Sequence, residues 1–515
     1  MRIIIVGGGI SGLTLYLYLQ KVLQESSPKP TGISIHIYEK YTDRATTSAS
    51  PDALIIGGFL AIAPNGLEVI RGLDRTLFDS ICNAGHPITS FTFSSRYGHK
   101  LGQMPCTSYS DPPQATIVIA RQTLWDCIRA HVPDDAITHA AISSIIIPSP
   151  SDVTGKPTLH FSDASIPPEQ ADLVIGTDGV HSIVRKAFPS STVTDHSPKY
   201  VGLVGIGGLL PPSPPPSPPS PSSPSPSRPH PTKPKLDDST MTLTFGPNGF
   251  FGYGAISPTL PPNSTRTDPS IGWWSTYSSP HPPNSKSPIN ASEVAASLRT
   301  RHKDWTDPVI QRVINAAKPE TVYPTWVVPL ESLQTWYLSG GGGDKEGGGK
   351  EDDGDSEKEW GVVLVGDAAH AMQPSAGQGV SMALEDVEVL SILLTSYLNP
   401  ASPSPLLSPN PASKSPPPSP SFTLSTILDQ YHTLRRPRVT KVAKMASRNG
   451  DKKRDLGVFA EWTMYGAIWA MGHLMPLLGG DRWGEWLFCK PGKCRTPGEE
   501  ARDWVEGSRG RRGSR

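Results

Sequence analysis

Residues 360–390, WGVVLVGDAAHAMQPSAGQGVSMALEDVEVL, constrain the fold of this chain more than any other segment. They read as a buried strand, a Gly-Asp turn, a glycine-rich loop and a helix with apolar residues at helical spacing. This order brings a carboxylate and a helix N-terminus to the same ligand, because the first N–H groups of a helix have no partner within it. The residues predicted to face that ligand are Gly366, Asp367, Gly377, Gly379 and Val380.

The N-terminus, MRIIIVGGGISGLTLYLYL, carries a second pattern of this kind. A β-branched strand precedes Gly7, Gly9 and Gly12, and a helix follows. The first glycine permits a tight turn, the second lets a pyrophosphate approach, and the third lets helix and strand pack closely. Glu39 ends the next predicted strand, where a carboxylate suits the ribose hydroxyls of an adenosine. One ligand held by both patterns would be long, like a dinucleotide. The alternative is a secretory signal peptide, but the glycines interrupt its apolar core and no cleavage site follows.

A third pattern lies at residues 171–187, ADLVIGTDGVHSIVRKA, where a strand leads through a turn containing Asp178 into a short helix. Taken alone, this segment has an equally good interpretation as an ordinary turn, because Asp-Gly is common turn chemistry.

Together the three patterns resemble the FAD-dependent aromatic hydroxylase family, the single-component flavin monooxygenases such as para-hydroxybenzoate and salicylate hydroxylases. GGGISG with Glu39 is similar to that family's adenosine site, GTDGVHSIVR to its DG motif, and GDAAHAMQPSAGQGVSMALED to its GD motif. Weaker similarities occur at residues 57–70, 119–128 and 431–442. The resemblance extends from residue 1 to about residue 448.

The resemblance implies FAD as the cofactor and NAD(P)H as a co-substrate that binds transiently, since the chain has a single dinucleotide fingerprint. It implies that Asp367 binds the ribitol, that Val380 offers its N–H to the flavin ring, and that Gly58, Arg121 and Asp178 also lie at the cofactor. It further implies that O2 adds to flavin C4a as a hydroperoxide, which hydroxylates or epoxidises an aromatic or polyketide-like molecule. The cofactor carries the difficult step in such enzymes.

The fold class predicted is α/β, with a Rossmann-like FAD-binding domain, an inserted, mainly antiparallel β-sheet substrate domain and a C-terminal helical region. Residues 1–198 are assigned to the first part of the FAD-binding domain, with substrate-domain strands interleaved near residues 85–120. The remaining assignments are the substrate-domain sheet at 199–336, a Gly/acidic loop at 340–358, the GD motif at 359–398, a Pro-rich loop at 399–421, and helices with a basic tail at 422–515.

Proline is concentrated in a few segments that cannot bury a core. Residues 211–235 hold 13 prolines in 25 positions, which predicts a surface insertion rather than part of the sheet. Residues 257–290 are also predicted as a Pro-rich insertion, although a strand is expected within them at 271–277. Recruitment of a proline-binding partner is the alternative to a solvated loop.

The substrate pocket is less well defined by the sequence. Tyr253 is predicted to face it and to bond a substrate phenol, with a core tyrosine as the alternative. Trp273, Trp274 and Trp326 are candidates for pocket walls or core. Residues 202–210 contain no cation where some relatives carry an arginine, which argues against a carboxylate substrate. His370 is interpreted as structural rather than as a base.

Formal net charge is zero, which argues against nucleic acid as a partner. The five scattered cysteines predict neither a disulfide framework nor a zinc site, although Cys489 and Cys494 could pair under oxidising conditions. Residues 462–478 form an apolar run that is shorter than a membrane span, so a buried or capping helix is favoured over an interfacial one. A cytoplasmic location is predicted, with membrane association as the alternative.

Three other functions remain open: a reductase or oxidase of the same fold that inserts no oxygen, a non-catalytic flavin-binding scaffold with proline arms, and a membrane-associated epoxidase. The sequence does not determine whether NADH or NADPH is the co-substrate, and it does not determine the substrate or the oligomeric state.

Overall fold

The structure is a computed structural model. The residues it describes are 1–26, 30–41, 58–108, 111–149, 152, 155–189, 196–210, 237–256, 270–283, 290–316, 319, 321–341, 359–399, 422–454, 456–474 and 496–512. The predicted Pro-rich segments 211–235 and 400–420, the Gly/acidic loop, and Cys489 with Cys494 lie wholly or almost wholly outside these residues.

A six-stranded sheet forms the centre of the first domain. Its order is β18 (Tyr337–Gly340), β19 (Trp360–Leu364), β12 (Leu173–Gly176), β1 (Arg2–Val6), β2 (Ser34–Glu39) and β8 (Ile137–His139). All neighbouring pairs are parallel except β18 with β19. β12 and β19 are buried throughout and β1 from Ile3 onward, as expected of parallel strands that helices cover on both faces.

Because β1, β12 and β19 are neighbours, the three sequence patterns leave the sheet at the same edge. α1 (Ile10–Glu25) follows β1, the short α5 (Ile183–Lys186) follows β12, and α8 (Asp367–His370) with α9 (Gly379–Leu398) follows β19. α2 (Pro64–Leu73), α3 (Arg75–Ala84) and α4 (Arg121–Arg129) complete this side, around a small sheet of β3 (Phe59–Ile62), β7 (Thr116–Ala120) and β4 (His86–Ile88).

A seven-stranded sheet covers the first domain. Its order is β17 (Thr321–Val327), β13 (Lys199–Leu210), β16 (Ser270–Ser278), β15 (Gly249–Ile256), β14 (Thr240–Gly246), β5 (Ser90–Ser94) and β6 (Lys100–Pro105). Only the β14–β5 pair is parallel. β16 is the strand expected at 271–277, and it lies between β13 and β15, so the insertion predicted at 257–290 is wrong in its extent. β9 (Ile142–Ile146), β10 (Thr158–Phe161) and β11 (Glu169–Gln170) form a separate three-stranded sheet.

Helices close the two ends of the molecule. α6 (Ala291–Arg301) and α7 (Pro308–Ala316) pack on the outer face of the seven-stranded sheet. α10 (Leu424–Asp451) and α12 (Pro497–Arg512) pack against α9. The fold is therefore the predicted α/β class, with a Rossmann-like domain, a mainly antiparallel second sheet and a C-terminal helical region.

α11 (Val458–Leu474) has the capping role that was one of the two favoured predictions, because it covers part of the second sheet. It is not a buried helix, since Phe459 is 84% exposed and Trp462 58% exposed. Apolar residues occur on every side of this helix, so one side covers the second sheet while the other remains outward. Tyr465 fixes the inner side by donating to the Phe245 carbonyl at 2.6 Å. Within the described part of the chain, no helix has the length and apolar character to cross a bilayer.

Candidate functional site

The three sequence patterns meet at one edge of the six-stranded sheet. A Cβ on Gly7 would lie 2.8 Å from the Thr177 carbonyl, and Thr177 Oγ1 donates to the Val6 and Gly7 carbonyls. The Arg185 guanidinium donates to the Ala368 carbonyl at 2.7 Å and thereby ties the second pattern to the third. Arg185 is fully buried, and sequence reasoning did not assign it this role.

Each N-terminal glycine has a separate steric reason to be glycine. Gly7 has φ +107°, which L side chains rarely adopt. A Cβ on Gly12 would lie 2.0 Å from the Gly7 carbonyl, so helix and strand could not pack at their present distance. Gly9, in contrast, has open space around it. The turn, the packing contact and the open position correspond to the three roles that the sequence predicts.

Open space also occurs where the cofactor would contact the helix ends. Gly9 precedes α1 and Gln378 precedes α9, and no side chain caps either helix. Neither helix has an acidic residue in its first turn, so the N–H groups and the positive ends of both dipoles remain available to an anion or carbonyl. Gly377 and Gly379 have no neighbour within 4 Å of a Cβ position.

Glu39 lies at the carboxyl end of β2, beside the glycine turn. Its Oε2 accepts from the Gly8 N–H at 2.6 Å, and its Oε1 accepts from the Tyr41 N–H at 3.0 Å. Trp125 Nε1 donates to the Gly8 carbonyl at 2.8 Å, a contact that the sequence did not indicate. The carboxylate is therefore held beside the glycine turn by backbone N–H groups, and it is not among the residues that line the cavity.

Asp367 opens α8 directly after the buried strand β19. Its side chain is exposed while Gly366 and Ala368 on either side are buried. Gly366 has φ +62° and donates its N–H to Asp386 Oδ2 at 2.9 Å, which fixes the turn. The carboxylate of Asp367 consequently points into the adjoining cavity rather than into the core.

Two further predicted residues differ in placement. Arg121 at the start of α4 lines the cavity, and its N–H is bonded to the Gly58 carbonyl, which also lies on the wall. Asp178 does not line the cavity: its carboxylate accepts from the N–H groups of Ile183 and Val184. Burial raises the pKa of Asp178 above its usual range. The prediction of a direct cofactor contact through this side chain is therefore replaced by a helix cap, which shapes the loop that includes Gly179.

His370 lies in a buried charge network away from the cavity. His370 Nε2 and Asp386 Oδ2 are 2.5 Å apart, Asp386 Oδ1 accepts from Arg435 Nε at 2.7 Å, and Arg435 also binds Glu385. Burial favours protonation of Asp386, but the His370 and Arg435 side chains outweigh it and lower its pKa. The network joins α8, α9 and α10, so His370 has the structural role expected.

A cavity of about 1190 Å³ extends from this edge to the second sheet. Ligand pockets for drug-sized molecules occupy about 300–1,000 Å³, so the cavity exceeds the usual space for one such ligand. Its far end is mainly aromatic and aliphatic, and the side chains that form it include Phe91, Met241, Leu243, Phe245, Phe250, Trp274, Tyr323, Trp326 and Met464. A Cβ on Gly252 would lie 2.2 Å from the Trp274 ring, so glycine in β15 makes room for that ring.

The prediction that Tyr253 faces the substrate pocket is wrong, because its side chain points away from the cavity. In register with Trp273 on β16, it belongs to the apolar cluster on the outer face of the sheet. Its hydroxyl donates to Asp307 Oδ2 at 3.2 Å. Phe250, an odd number of positions away on β15, carries its side chain to the cavity instead. Tyr253 therefore has the core role given as the alternative.

The charged side chains along the described cavity wall are Arg121, Asp367, Lys452 and Lys453. Residues 202–210 of β13 contain no cation, and Lys199 at the start of this strand is exposed and does not line the cavity. The two lysines come instead from the segment that ends α10, which lies far from β13 in sequence. No signal in the local sequence connects them with the pocket.

These features fit FAD. The open glycine positions form a cradle that a Cβ at each would narrow, and two uncapped helix N-termini offer donors to phosphate and to a ring carbonyl. Glu39 lies beside the glycine turn, Asp367 lines the cavity, and the cavity continues from Asp367 toward the second sheet.

Comparisons with known proteins agree with this cofactor. Residues 356–412 match the model of the FAD binding domain family. The chain is 27% identical over 395 residues to 3-amino-4-hydroxybenzoate 2-monooxygenase of Streptomyces cremeus, covering 76% of this chain and 77% of that protein. It is 25% identical over 454 residues to an FAD-dependent monooxygenase of Penicillium crustosum, and the match covers 86% of this chain and 77% of that protein. Among solved structures, Klebsiella pneumoniae HpxO complexed with FAD and uric acid has a similar fold, with a TM-score of 0.61 and 16% sequence identity. The match covers 95% of this chain and 97% of that chain.

The relatives are named FAD-dependent monooxygenases, which identifies the chain as an FAD-dependent oxidoreductase. The FAD binding domain match and these relatives support the FAD-dependent aromatic hydroxylase family that the motifs indicated.

Proposed function

We propose that this monooxygenase uses NAD(P)H and O2 to hydroxylate an aromatic or polyketide-like small molecule, by the oxygen-activation route that the family resemblance implies. In balanced form, the substrate, O2, NAD(P)H and one proton give the hydroxylated substrate, water and NAD(P)+. The observation that carries the proposal is the single cavity that joins the Asp367 end to the apolar sheet end. FAD, when bound, supplies electron transfer and oxygen activation.

The cofactor contacts follow from the placement of the residues. Backbone groups at Gly9 and at Gly377, Gly379 and Val380 would bind phosphate and flavin ring, and Asp367 the ribitol. Glu39 would bind the ribose. Gly7, Gly12 and Gly366 shape the turns rather than offer a side chain, and Gly58 and Arg121 lie along the same wall.

The substrate would lie against the second sheet. Trp274 and Phe250 present apolar surface there, and aromatic side chains contribute binding area with defined geometry. The wall that α11 adds, which includes Met464 and Ile468, covers this end and limits access of water. The names of the relatives include an aminohydroxybenzoate monooxygenase and a zeaxanthin epoxidase, so epoxidation of an alkene is the second outcome to test.

The test begins with purified protein and its visible spectrum. NADH and NADPH oxidation and oxygen uptake are then followed across aromatic and polyketide compounds, with products analysed by mass. Substrate-stimulated oxygen uptake and a product heavier by one oxygen support the proposal. Flavin reduction without an oxygenated product supports the reductase or oxidase, and absence of flavin after reconstitution contradicts the proposal.

Two further predictions need separate assays. If the chain is an enzyme rather than a scaffold, deletion of residues 211–235 and 400–420 leaves turnover intact. Gentle lysis and fractionation test the cytoplasmic location against membrane association. Membrane association would be indicated if the protein is found in the pellet and is released only by detergent.

A further inference from the structure

Lys453 is a buried cation that pairs with no carboxylate among the described residues. It is 8% exposed and lines the cavity, with Nζ 4.2 Å from the centroid of the Phe250 ring. Lys452 is exposed. Arg454 donates to the Val201 carbonyl at 2.7 Å and pairs with Asp451.

Among the described residues, the titratable groups of α11 and β15 nearest Lys453 are engaged elsewhere. On α11, Glu461 pairs with Arg96 at 3.0 Å, and the Tyr465 hydroxyl donates to the Phe245 carbonyl. On β15, Tyr253 faces Asp307 on the other side of the sheet. Asp367 is the one carboxylate on the described cavity wall, and it belongs to the cofactor end.

The segment that carries Lys453 is fixed against the glycine-rich loop. A Cβ on Gly450 would lie 1.5 Å from Gln373 Oε1, and the Lys453 N–H is bonded to the Gly450 carbonyl at 2.9 Å. Gln373 belongs to the loop that runs from α8 to α9 and lines the cavity. The backbone of Lys453 is therefore held beside that loop, and its ammonium group lies over the Phe250 ring.

Such a position is costly to the fold. An ammonium removed from water without a counter-ion is unfavourable, and the face of Phe250 compensates only in part. Burial lowers the pKa of Lys453 to about 8, so the side chain remains largely charged at neutral pH. A residue that costs stability and faces a binding cavity is expected to act on a ligand.

We propose that Lys453 is the counter-ion for an anionic group of the substrate, a carboxylate or the ionised hydroxyl of an acidic phenol or enol, at the Phe250 end of the cavity. The inference rests on the proposed function only for the location of the substrate. An ionised hydroxyl would also make the ring that carries it more electron-rich, as hydroxylation requires. The cation absent from residues 202–210 is thus supplied by the segment after α10.

The experiment compares the affinities of the FAD-loaded protein for two ligands of the same shape, one negatively charged and one neutral. Naphthalene-2-carboxylate and naphthalene-2-carboxamide are titrated at pH 7, and binding is read from the flavin fluorescence. The wild-type protein should bind the carboxylate at least roughly tenfold more tightly, the lower range for a buried charge pair. Lys453→Met should abolish the preference, and Lys453→Arg should retain part of it.

Two controls separate this role from others. Lys444→Met, at an exposed lysine of α10 that does not line the cavity, should keep the preference. Lys453→Met should keep full FAD content and an unchanged or higher Tm, because it removes an unpaired buried charge. Loss of FAD, loss of both ligands with a lower Tm, or an unchanged preference in Lys453→Met would each overturn the proposal.

The pH dependence gives a second readout. Lys453 is charged below its pKa, so the preference of the free protein for the carboxylate should be full near pH 7 and decline as pH rises through about 8. In Lys453→Met the ratio should be flat over this range. A decline that persists in the methionine variant would assign the titration to another group and contradict the proposal.

2-Naphthol distinguishes the two sources of negative charge. If the natural anion is an ionised hydroxyl, the naphtholate absorbance should appear on binding to the wild-type protein at pH 7–8 and not on binding to Lys453→Met. A carboxylate preference without naphtholate supports a carboxylate substrate. Turnover enters neither assay, so the failure of this inference and the failure of the monooxygenase proposal are distinguishable.

Discussion

The cofactor end of the cavity is formed mainly by backbone groups, whereas the substrate end is formed mainly by side chains. At the cofactor end, backbone N–H groups, glycines and one exposed carboxylate form the wall, and buried charges hold them in place. At the substrate end, large side chains from five strands and α11 form the wall. The first end depends on short sequence motifs, whereas the second depends on which face of each strand points inward.

The difference in construction implies a difference in response to mutation. Changes at the charge network should affect the fold and the cofactor together. Changes at the sheet should affect binding of the substrate and leave FAD in place. The predictions below test this separation.

Arg435→Met should have the largest effect, because it leaves Asp386 and Glu385 buried without their main cation. Removing one partner from a buried ion pair costs about 3–5 kcal/mol. Chemical denaturation should show a loss of this size, with FAD released. Arg448→Met, an exposed arginine on the same helix, is the matched control and should change stability by about 0.5 kcal/mol or less. Equal effects of the two would contradict the role of the network.

Asp367→Ala should remove most bound FAD and leave the fold intact, since the side chain is exposed on the cavity wall. A hydrogen bond from a hydroxyl to a charged carboxylate contributes about 2 kcal/mol, or roughly 30-fold in Kd. Asp367→Asn keeps an acceptor and should lose less. Flavin content after gel filtration measures the effect, and full occupancy in the alanine variant would refute the placement.

Acid should destabilise the same network. Burial acts against ionisation of both Asp386 and Glu385, but neighbouring side chains outweigh it and lower both pKa values. For Asp386 these neighbours are His370 and Arg435. For Glu385 they are Arg435 and Arg438. Groups with depressed folded pKa values stabilise above their unfolded pKa of about 4, and that contribution disappears as pH falls through the folded values. The free energy of unfolding should therefore decrease below pH about 4. Arg435→Met should show a weaker dependence; the same slope in both proteins would show that other groups cause it.

Trp274→Ala tests the substrate end. Trp274 lines the cavity between Phe59 and Phe250, with ring centroids at 5.5 and 5.8 Å. Its removal should weaken binding of a naphthalene ligand about tenfold through lost aromatic contact, with FAD affinity changed less than about twofold. A comparable loss of FAD would show that the two ends are not separable.

Tyr253→Phe should have the smallest effect on turnover, because its hydroxyl faces Asp307 outside the cavity. Stability should fall by about 1 kcal/mol, since one buried carboxylate oxygen loses a donor. Once a substrate is known, kcat should remain within about twofold of the wild-type value. A larger drop in kcat at unchanged stability would instead support the predicted contact of Tyr253 with the substrate.

The sequence was sufficient for most of the cofactor end. Gly7, Gly9 and Gly12 each serve a local steric purpose that spacing alone reveals, and the exposed Asp367 follows directly from a strand-turn-helix pattern. Asp178 is the exception. Its motif is similar to the family's, but the carboxylate caps the helix that follows, a local competition for N–H groups that spacing cannot resolve.

The sequence was insufficient for the substrate end, for a geometric reason. A shift of one residue in strand register exchanges the two faces of a strand, so Tyr253 and Phe250 could be assigned only after the pairing of β15 with β16 was known. Arg185 and Lys453 act across long sequence separations, on Ala368 and beside Phe250 respectively. Neither contact has a local signal.

Incorporation of labelled oxygen tests the central claim most directly. The FAD-loaded protein, NAD(P)H and a substrate found in the panel are incubated under 18O2 and the product is analysed by mass. The account predicts one 18O atom in each hydroxylated or epoxidised product and none from H2 18O in the reverse experiment. A product with oxygen from water only, or NAD(P)H consumption with no labelled product for any bound ligand, would contradict it.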